Sequence, residues 1–96
     1  MIQTQHAKIR VQQRGVPEDA ISFIMNNGKQ MRTKNGCIKK YFDKGCLLKI
    51  KYNKNLQNIF KRNDKQIMST ILIFDPINDT LVTVIHPNQS KKLRWN

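Results

Sequence analysis

The chain has 96 residues and carries 18 Lys and Arg against 6 Asp and Glu, a formal net charge of +12. This length suits one domain with a single modest core, and the charge favours a polyanionic partner, with nucleic acid ahead of an anionic membrane. The sequence shows neither a long apolar segment nor a basic amphipathic helix with an aromatic face, which argues against a membrane protein.

The cysteines and histidines give no sign of a cross-linked or metal-binding protein. A single pair, Cys37 and Cys46, is not a disulfide framework, and the first residues lack the basic start and apolar run of a signal peptide. We therefore expect reduced thiols in a cytoplasmic protein. The two histidines, His6 and His86, have no paired metal-ligand spacing, so we predict no metal and no cofactor.

The first predicted helix covers about residues 5–14, with Thr4 as its N-cap and a glycine after its end. Residues four apart share a helix face, so His6, Arg10 and Arg14 form one row. Like charges at this spacing destabilise an isolated helix, and a row of one histidine and two arginines therefore suits an anion-binding site. A solvated basic face is the alternative interpretation of the same row.

A second helix is predicted over about residues 17–27, because a proline and two acidic residues open it and a broad apolar face follows. The pattern then changes to that of strands. Residues 29–34 and 37–43 predict a hairpin with an Asn-Gly turn, and residues 46–52 alternate as a further strand. Lysines along these strands predict a sheet with one cationic side.

Residues 53–66 break the strand pattern, and we predict there an insertion with a short helical turn followed by a basic loop. Residues 67–74 and 81–86 are the most β-branched and predict the central strands. The basic tail, residues 88–96, contains Trp95, which we expect to anchor the terminus to the body or to stack on a base.

These elements predict an α+β domain in which two N-terminal helices pack on one face of an antiparallel sheet of four to five strands. The sequence lacks a Gly-rich phosphate loop, a Gly-x-Ser-x-Gly motif, a paired His metal motif and clustered carboxylates. Histidine, arginine, lysine and tyrosine can supply the base, acid and cations needed for attack of an RNA 2′-hydroxyl on the adjacent phosphate. The residue types therefore permit a metal-independent ribonuclease.

The run His6-Ala-x-x-Arg10-x-x-Gln13-Arg14-Gly15, with the helix after it, resembles a family of small uncharacterised bacterial proteins that is similar to RelE-like toxins. Those toxins belong to the barnase–EndoU–colicin–RelE group of ribonucleases. The resemblance implies two N-terminal helices on an antiparallel sheet, RNA as substrate, and an acidic antitoxin or immunity protein as partner. We expect a monomer when free and a hetero-complex when inhibited.

The resemblance also implies which residues carry the chemistry. His6 would act as general base or acid, and Arg10 and Arg14 would bind the scissile phosphate. Groups on the sheet would join them, namely Tyr41 and Thr83, with His86 and Lys39 as further candidates. The expected nucleic-acid contacts are Lys39, Lys49, Lys51, Lys61, Arg62 and Arg94.

Each sheet candidate has a structural alternative. Tyr41 can be a core or rim aromatic, Thr83 can be present for its β-propensity, and His86 can be a strand-end residue without a task. Two other function classes also fit the composition. One is a non-catalytic RNA- or DNA-binding module, and the other is an interaction protein that docks an acidic partner.

Overall fold

The computed structural model describes residues 1–86, which confirm the predicted α+β class. The described part contains three α-helices and one 3₁₀ helix: α1 (Gln5–Arg14), α2 (Glu18–Asn27), the 3₁₀ helix (Lys44–Ile50) and α3 (Lys54–Met68). Its five strands are β1 (Ile2–Gln3), β2 (Lys29–Arg32), β3 (Ile38–Tyr41), β4 (Ile71–Asp75) and β5 (Thr80–Ile85). The predicted basic tail, residues 88–96, lies outside the described residues.

The sheet has the strand order β1-β5-β4-β3-β2 and is mixed, whereas an antiparallel sheet was expected. The pairs β2–β3, β3–β4 and β4–β5 are antiparallel, but β1 pairs with β5 in parallel, with Ile2 opposite Thr80. The parallel pairing extends just beyond β1, where Thr4 N donates to Leu81 O at 3.0 Å. A strand of two residues shows no alternation, so the sequence pattern could not predict it.

Helix α1 begins and ends with the predicted caps. The Thr4 side chain accepts a hydrogen bond from Ala7 N at 3.0 Å and donates one to Val82 O at 2.9 Å. Thr4 therefore caps the helix and also ties its first turn to β5. Gly15 closes the helix in the left-handed conformation, with φ 61°.

Side-chain alternation separates the two faces of the sheet. Leu72 on β4 and Leu81 and Val84 on β5 are buried in the core with residues of α1 and α2. Leu81 and Val84 are three residues apart and share this face because the pairing of β4 with β5 shifts register between Ile73 and Phe74. Lys40 of β3 turns to the same side, because its Nζ donates to Met25 O in α2 at 3.0 Å. The alternate residues therefore lie on the opposite face: Lys39, Tyr41, Ile71, Ile73, Thr83 and Ile85.

The region between β3 and β4 differs most from its predicted form. Residues 46–52, expected as a strand, belong to the 3₁₀ helix and the turn after it. Residues 53–66, expected as a helical turn and a loop, lie almost entirely in α3, which continues through Ile67 and Met68 and bends at Asn63. β4 therefore starts at Ile71 and not at residue 67.

Three phenylalanines join this region to the rest of the core. Phe23 of α2, Phe42 after β3 and Phe60 of α3 have ring centroids 5.0 to 6.1 Å apart in tilted orientations. Phe42 is 2% exposed and contacts both other rings. Since α3 packs chiefly against α2, this aromatic cluster, together with the buried Ile67, helps to hold α3 to the body.

Candidate catalytic and nucleic-acid site

Arg14 and His86 come together at one end of the molecule. Because β1 pairs with β5 in parallel, α1 starts beside Val82 and runs along β5 toward its carboxyl end. His86 directly follows β5, two residues after the buried Val84, and therefore faces the helix side of the sheet. The last turn of α1 thus places Arg14 close enough to His86 for its positive charge to act on the imidazole.

This environment lowers the pKa of His86 from its ordinary value of 6.5. Partial burial is the main cause, since it penalises the charged imidazolium, and the positive charge of Arg14 adds to it. His86 is consequently neutral at pH 7 and can accept a proton. A neutral imidazole beside a guanidinium combines a base with a group that stabilises a phosphate charge.

The predicted row on α1 exists, but it spreads the three side chains along the helix. Arg10 precedes Arg14 by one turn, about 6 Å, and His6 lies about 12 Å from Arg14 along the axis. Arg10 and Arg14 are half-buried, whereas His6 is exposed in the first turn. The structure therefore groups Arg14 with His86, places Arg10 next to them, and leaves His6 at the far end of the row.

The sheet candidates occupy the other side of the molecule. Tyr41 and Thr83 lie on the face opposite the helices, two strands apart, with Ile71 and Ile73 of β4 between them. Lys39 lies on this face as well, and its Nζ is 5.9 Å from the centroid of the Tyr41 ring. These residues share a face with one another and not with His86, so the expected constellation is divided between two faces.

The expected nucleic-acid contacts do not form a cationic side of the sheet. Lys49 lies in the 3₁₀ helix and Lys51 follows it, while Lys61 and Arg62 lie in α3. All four are exposed. Lys39 remains on the sheet, on the face opposite its neighbour Lys40, and Arg94 lies outside the described residues. The prediction of one cationic sheet face is therefore wrong.

The structure shows an apolar groove near Lys51 and Lys61, and the sequence analysis did not predict it. The groove has a volume of about 360 Å³ and lies between the 3₁₀ helix and α3, with Leu47, Leu48, Ile50 and Phe60 in its lining. Leu47 and Leu48 are adjacent, which does not fit the alternation of a strand, and this was the sequence signal that could have indicated a helix here. Residues 46 and 50 are buried while 47 and 48 are exposed, as in a short amphipathic helix.

Three further findings concern residues 1–86. No helix among them is long and apolar enough to cross a membrane. No three His, Cys, Asp or Glu side chains in this part of the chain are grouped as ligands for a metal ion. Cys37 is half-buried and Cys46 is buried, and both are free thiols.

Comparison with known proteins adds no family. No family model matches the chain, and neither a curated protein nor a solved structure matches it significantly.

Proposed function

We propose that the chain is a metal-independent ribonuclease with a RelE-like fold, acting as the toxin of a toxin–antitoxin or toxin–immunity pair. The observation that carries this proposal is the partly buried imidazole of His86, whose pKa is lowered by burial and by the nearby charge of Arg14. The net charge of +12 supports RNA as the substrate class, since a polyanion offsets the repulsion among the cations. The motif His6-Ala-x-x-Arg10 and its continuation support the family resemblance.

The chemistry follows from the states of these groups. Neutral His86 removes the proton from an RNA 2′-hydroxyl, and the 2′-oxygen attacks the adjacent phosphorus. Arg14, assisted by Arg10 one turn away, stabilises the additional negative charge of the phosphorane. The bond to the 5′-oxygen then breaks, this oxygen takes a proton from water, and a 2′,3′-cyclic phosphate remains. The hydroxide left by that water takes the proton from the His86 imidazolium, which restores the neutral base. In this scheme His6 binds a neighbouring phosphate and does not transfer the proton.

The toxin assignment also includes a partner and a compartment. We propose an acidic antitoxin or immunity protein, because it would complement the surplus of cations and associate in a salt-sensitive way. The free protein would be a cytoplasmic monomer that forms a hetero-complex when inhibited.

A second candidate is a non-catalytic RNA- or DNA-binding module. The observation that favours it is the division of the expected site, with Tyr41 and Thr83 on one face and His86 on the other. A binding module needs cations over its surface but no assembled acid and base. This alternative also uses Arg14 and Arg10, so only a cleavage assay separates the two functions.

The test compares the two histidines. Purified wild type, His86→Ala and His6→Ala are incubated with single-stranded RNA in EDTA, and induced cultures are scored for growth and RNA integrity. We expect His86→Ala to lower the cleavage rate at least about 100-fold and to relieve growth arrest, as loss of a general base does. His6→Ala should retain cleavage with weaker RNA binding.

Other outcomes are equally decisive. If His6→Ala abolishes cleavage and His86→Ala does not, the general base is on α1, and His86 does not take the proton. If soluble wild type leaves RNA intact but binds it, the binding module is the better proposal. Its affinity should then fall about 100-fold between 50 and 200 mM salt for about five neutralised phosphates.

A further inference from the structure

The groove between the 3₁₀ helix and α3 combines exposed apolar side chains with positively charged residues around it. Leu48 is 73% exposed and Tyr52, just after the helix, is 91% exposed. Residues 44–62 contain no Asp or Glu. Their positive residues are Lys44, Lys49, Lys51, Lys54, Lys61 and Arg62. Adjacent exposed apolar side chains in a concavity are typical of a protein-binding surface.

The groove is built by specific contacts and is not a gap between loose segments. Asp43 caps the 3₁₀ helix by accepting a hydrogen bond from Cys46 N at 3.2 Å. At the other end, the Gln57 side chain of α3 donates to Ile50 O at 3.1 Å and also to Lys51 O. Both ends of the 3₁₀ helix are thereby held, so the leucines are presented in a fixed position.

Asp43, which precedes the 3₁₀ helix, does not neutralise the positive charges around the groove. Asp43 pairs with Lys29 of β2 at 3.1 Å, and this ion pair lowers the pKa of the Asp43 carboxyl. Its charge is therefore directed to the sheet edge and to the helix cap. The lysines around the groove are left to complement an external negative charge.

We propose that this groove binds an amphipathic helix of an acidic partner protein. Two or three apolar residues on one face of that helix would enter the groove against Leu47, Leu48 and Phe60. Acidic residues beside them would pair with Lys51 and Lys61 at its edges. Apolar anchors spaced along one helix face, with charges flanking them, are the usual form of recognition for a groove of this kind.

Two other polyanions fit this surface less well. RNA would satisfy the lysines, but the leucine side chains that line the groove offer no stacking surface for a base, and Tyr52 lies outside that lining. An anionic bilayer would take the exposed Leu48, but it would not fill the concave groove that Ile50 and Phe60 line. A protein helix satisfies both the apolar lining and the charges.

The proposal rests on the acidic partner of the proposed function but does not need cleavage activity. None of the groove residues belongs to α1 or β5, where Arg14 and His86 lie. RNA cleavage and binding at the groove can therefore fail separately, and loss of one leaves the other to be measured.

The experiment uses the full chain and a fluorescein-labelled synthetic helical peptide, with binding followed by anisotropy. The peptide has leucines at i, i+4 and i+7 and glutamates at the flanking positions. One control peptide replaces the leucines with serine, and a second replaces the glutamates with lysine. The parent peptide should bind at least about tenfold more tightly than either control, because both contributions are needed.

The protein variants locate the binding. Leu48→Ser should weaken the parent peptide at least about tenfold, and Lys61→Gln should weaken it by a smaller factor. Ile77→Ser is the matched control, because Ile77 is 88% exposed in the turn between β4 and β5 and lies outside the groove. Circular dichroism verifies that each variant is folded.

Several results would overturn the proposal. Equal binding of the serine peptide means that the groove contributes nothing, and equal effects of Leu48→Ser and Ile77→Ser mean that the site is elsewhere. Absence of peptide binding at millimolar concentration overturns it as well. If Leu48→Ser instead weakens binding to phosphatidylserine vesicles or to single-stranded RNA by tenfold, the groove is a membrane or RNA surface.

Discussion

Two cationic regions of the molecule use positive charge differently. At the end formed by α1 and β5, burial lowers the pKa of the His86 imidazole, and the positive charge of Arg14 lowers it further. At the groove between the 3₁₀ helix and α3, exposed lysines surround apolar side chains. The first arrangement changes the protonation of a neighbouring group, and the second frames an apolar surface. The net charge therefore indicates a class of partner, whereas the neighbours of each cation indicate what that cation does.

The two regions also differ in how they are attached. Both helices pack on the core through buried apolar side chains, among them Ala7 in α1 and Ile67 in α3. At α1 the hydrogen bonds of Thr4 add a polar attachment at the helix N-terminus. At α3 the aromatic cluster of Phe23, Phe42 and Phe60 adds contacts in the centre of the core, and loss of its central ring should cost more than loss of Thr4.

Phe42→Ala should give the largest effect on stability. Removal of this buried ring leaves a cavity between Phe23 and Phe60, and we expect a loss of about 3–5 kcal/mol in the free energy of unfolding. Urea denaturation measures the change. Ile77→Ala, at an exposed turn, is the control and should change stability by less than about 0.5 kcal/mol. A loss below about 1 kcal/mol for Phe42→Ala would contradict the central role of the cluster.

Thr4→Ala should have a smaller effect that is confined to the other region. It removes the cap on Ala7 N and the bond to Val82 O, so we expect a loss of about 1 kcal/mol. Hydrogen exchange of the α1 amides should rise, while affinity of the groove for the acidic peptide stays unchanged. Thr4→Ser keeps the hydroxyl and should recover most of the loss. If serine is no better than alanine, the hydroxyl bonds are not the cause.

Local sequence signals predicted the helices and strands near the start of the chain, because capping and turn residues mark where these elements begin and end. Thr4 caps α1 as expected, and the Asn35-Gly36 turn joins β2 and β3, with Gly36 at φ 81°. The prediction of a strand after β3 was wrong because Leu48, Ile50 and Tyr52 alternate along the sequence as the residues of a strand do. Burial of Cys46 and Ile50, four residues apart, is instead explained by the helical turn that Asp43 caps.

The candidate site was predictable in its residues but not in their grouping. The row of His6, Arg10 and Arg14 depends only on helix geometry and was therefore accessible from the sequence. The meeting of Arg14 with His86 depends on the direction in which α1 runs along β5. That direction is set by the parallel pairing of β1, a contact between residues about 80 positions apart, which no local pattern encodes.

The pH dependence of stability should show the smallest effect and tests the first region directly. In a His6→Gln background, His86 is the only histidine. Its pKa in the folded protein is below the ordinary value of 6.5, because of burial and then of Arg14. The unfolded chain therefore binds more protons in the interval just below pH 6.5, and stability falls as the pH decreases through it. Urea denaturation between pH 5 and 7 measures this slope.

Adding His86→Gln should flatten the slope, and adding Arg14→Gln should reduce it without removing it, because burial of the imidazole remains. A slope unchanged by His86→Gln would mean that the imidazole does not titrate in this environment, and the contact with Arg14 would then not tune a base.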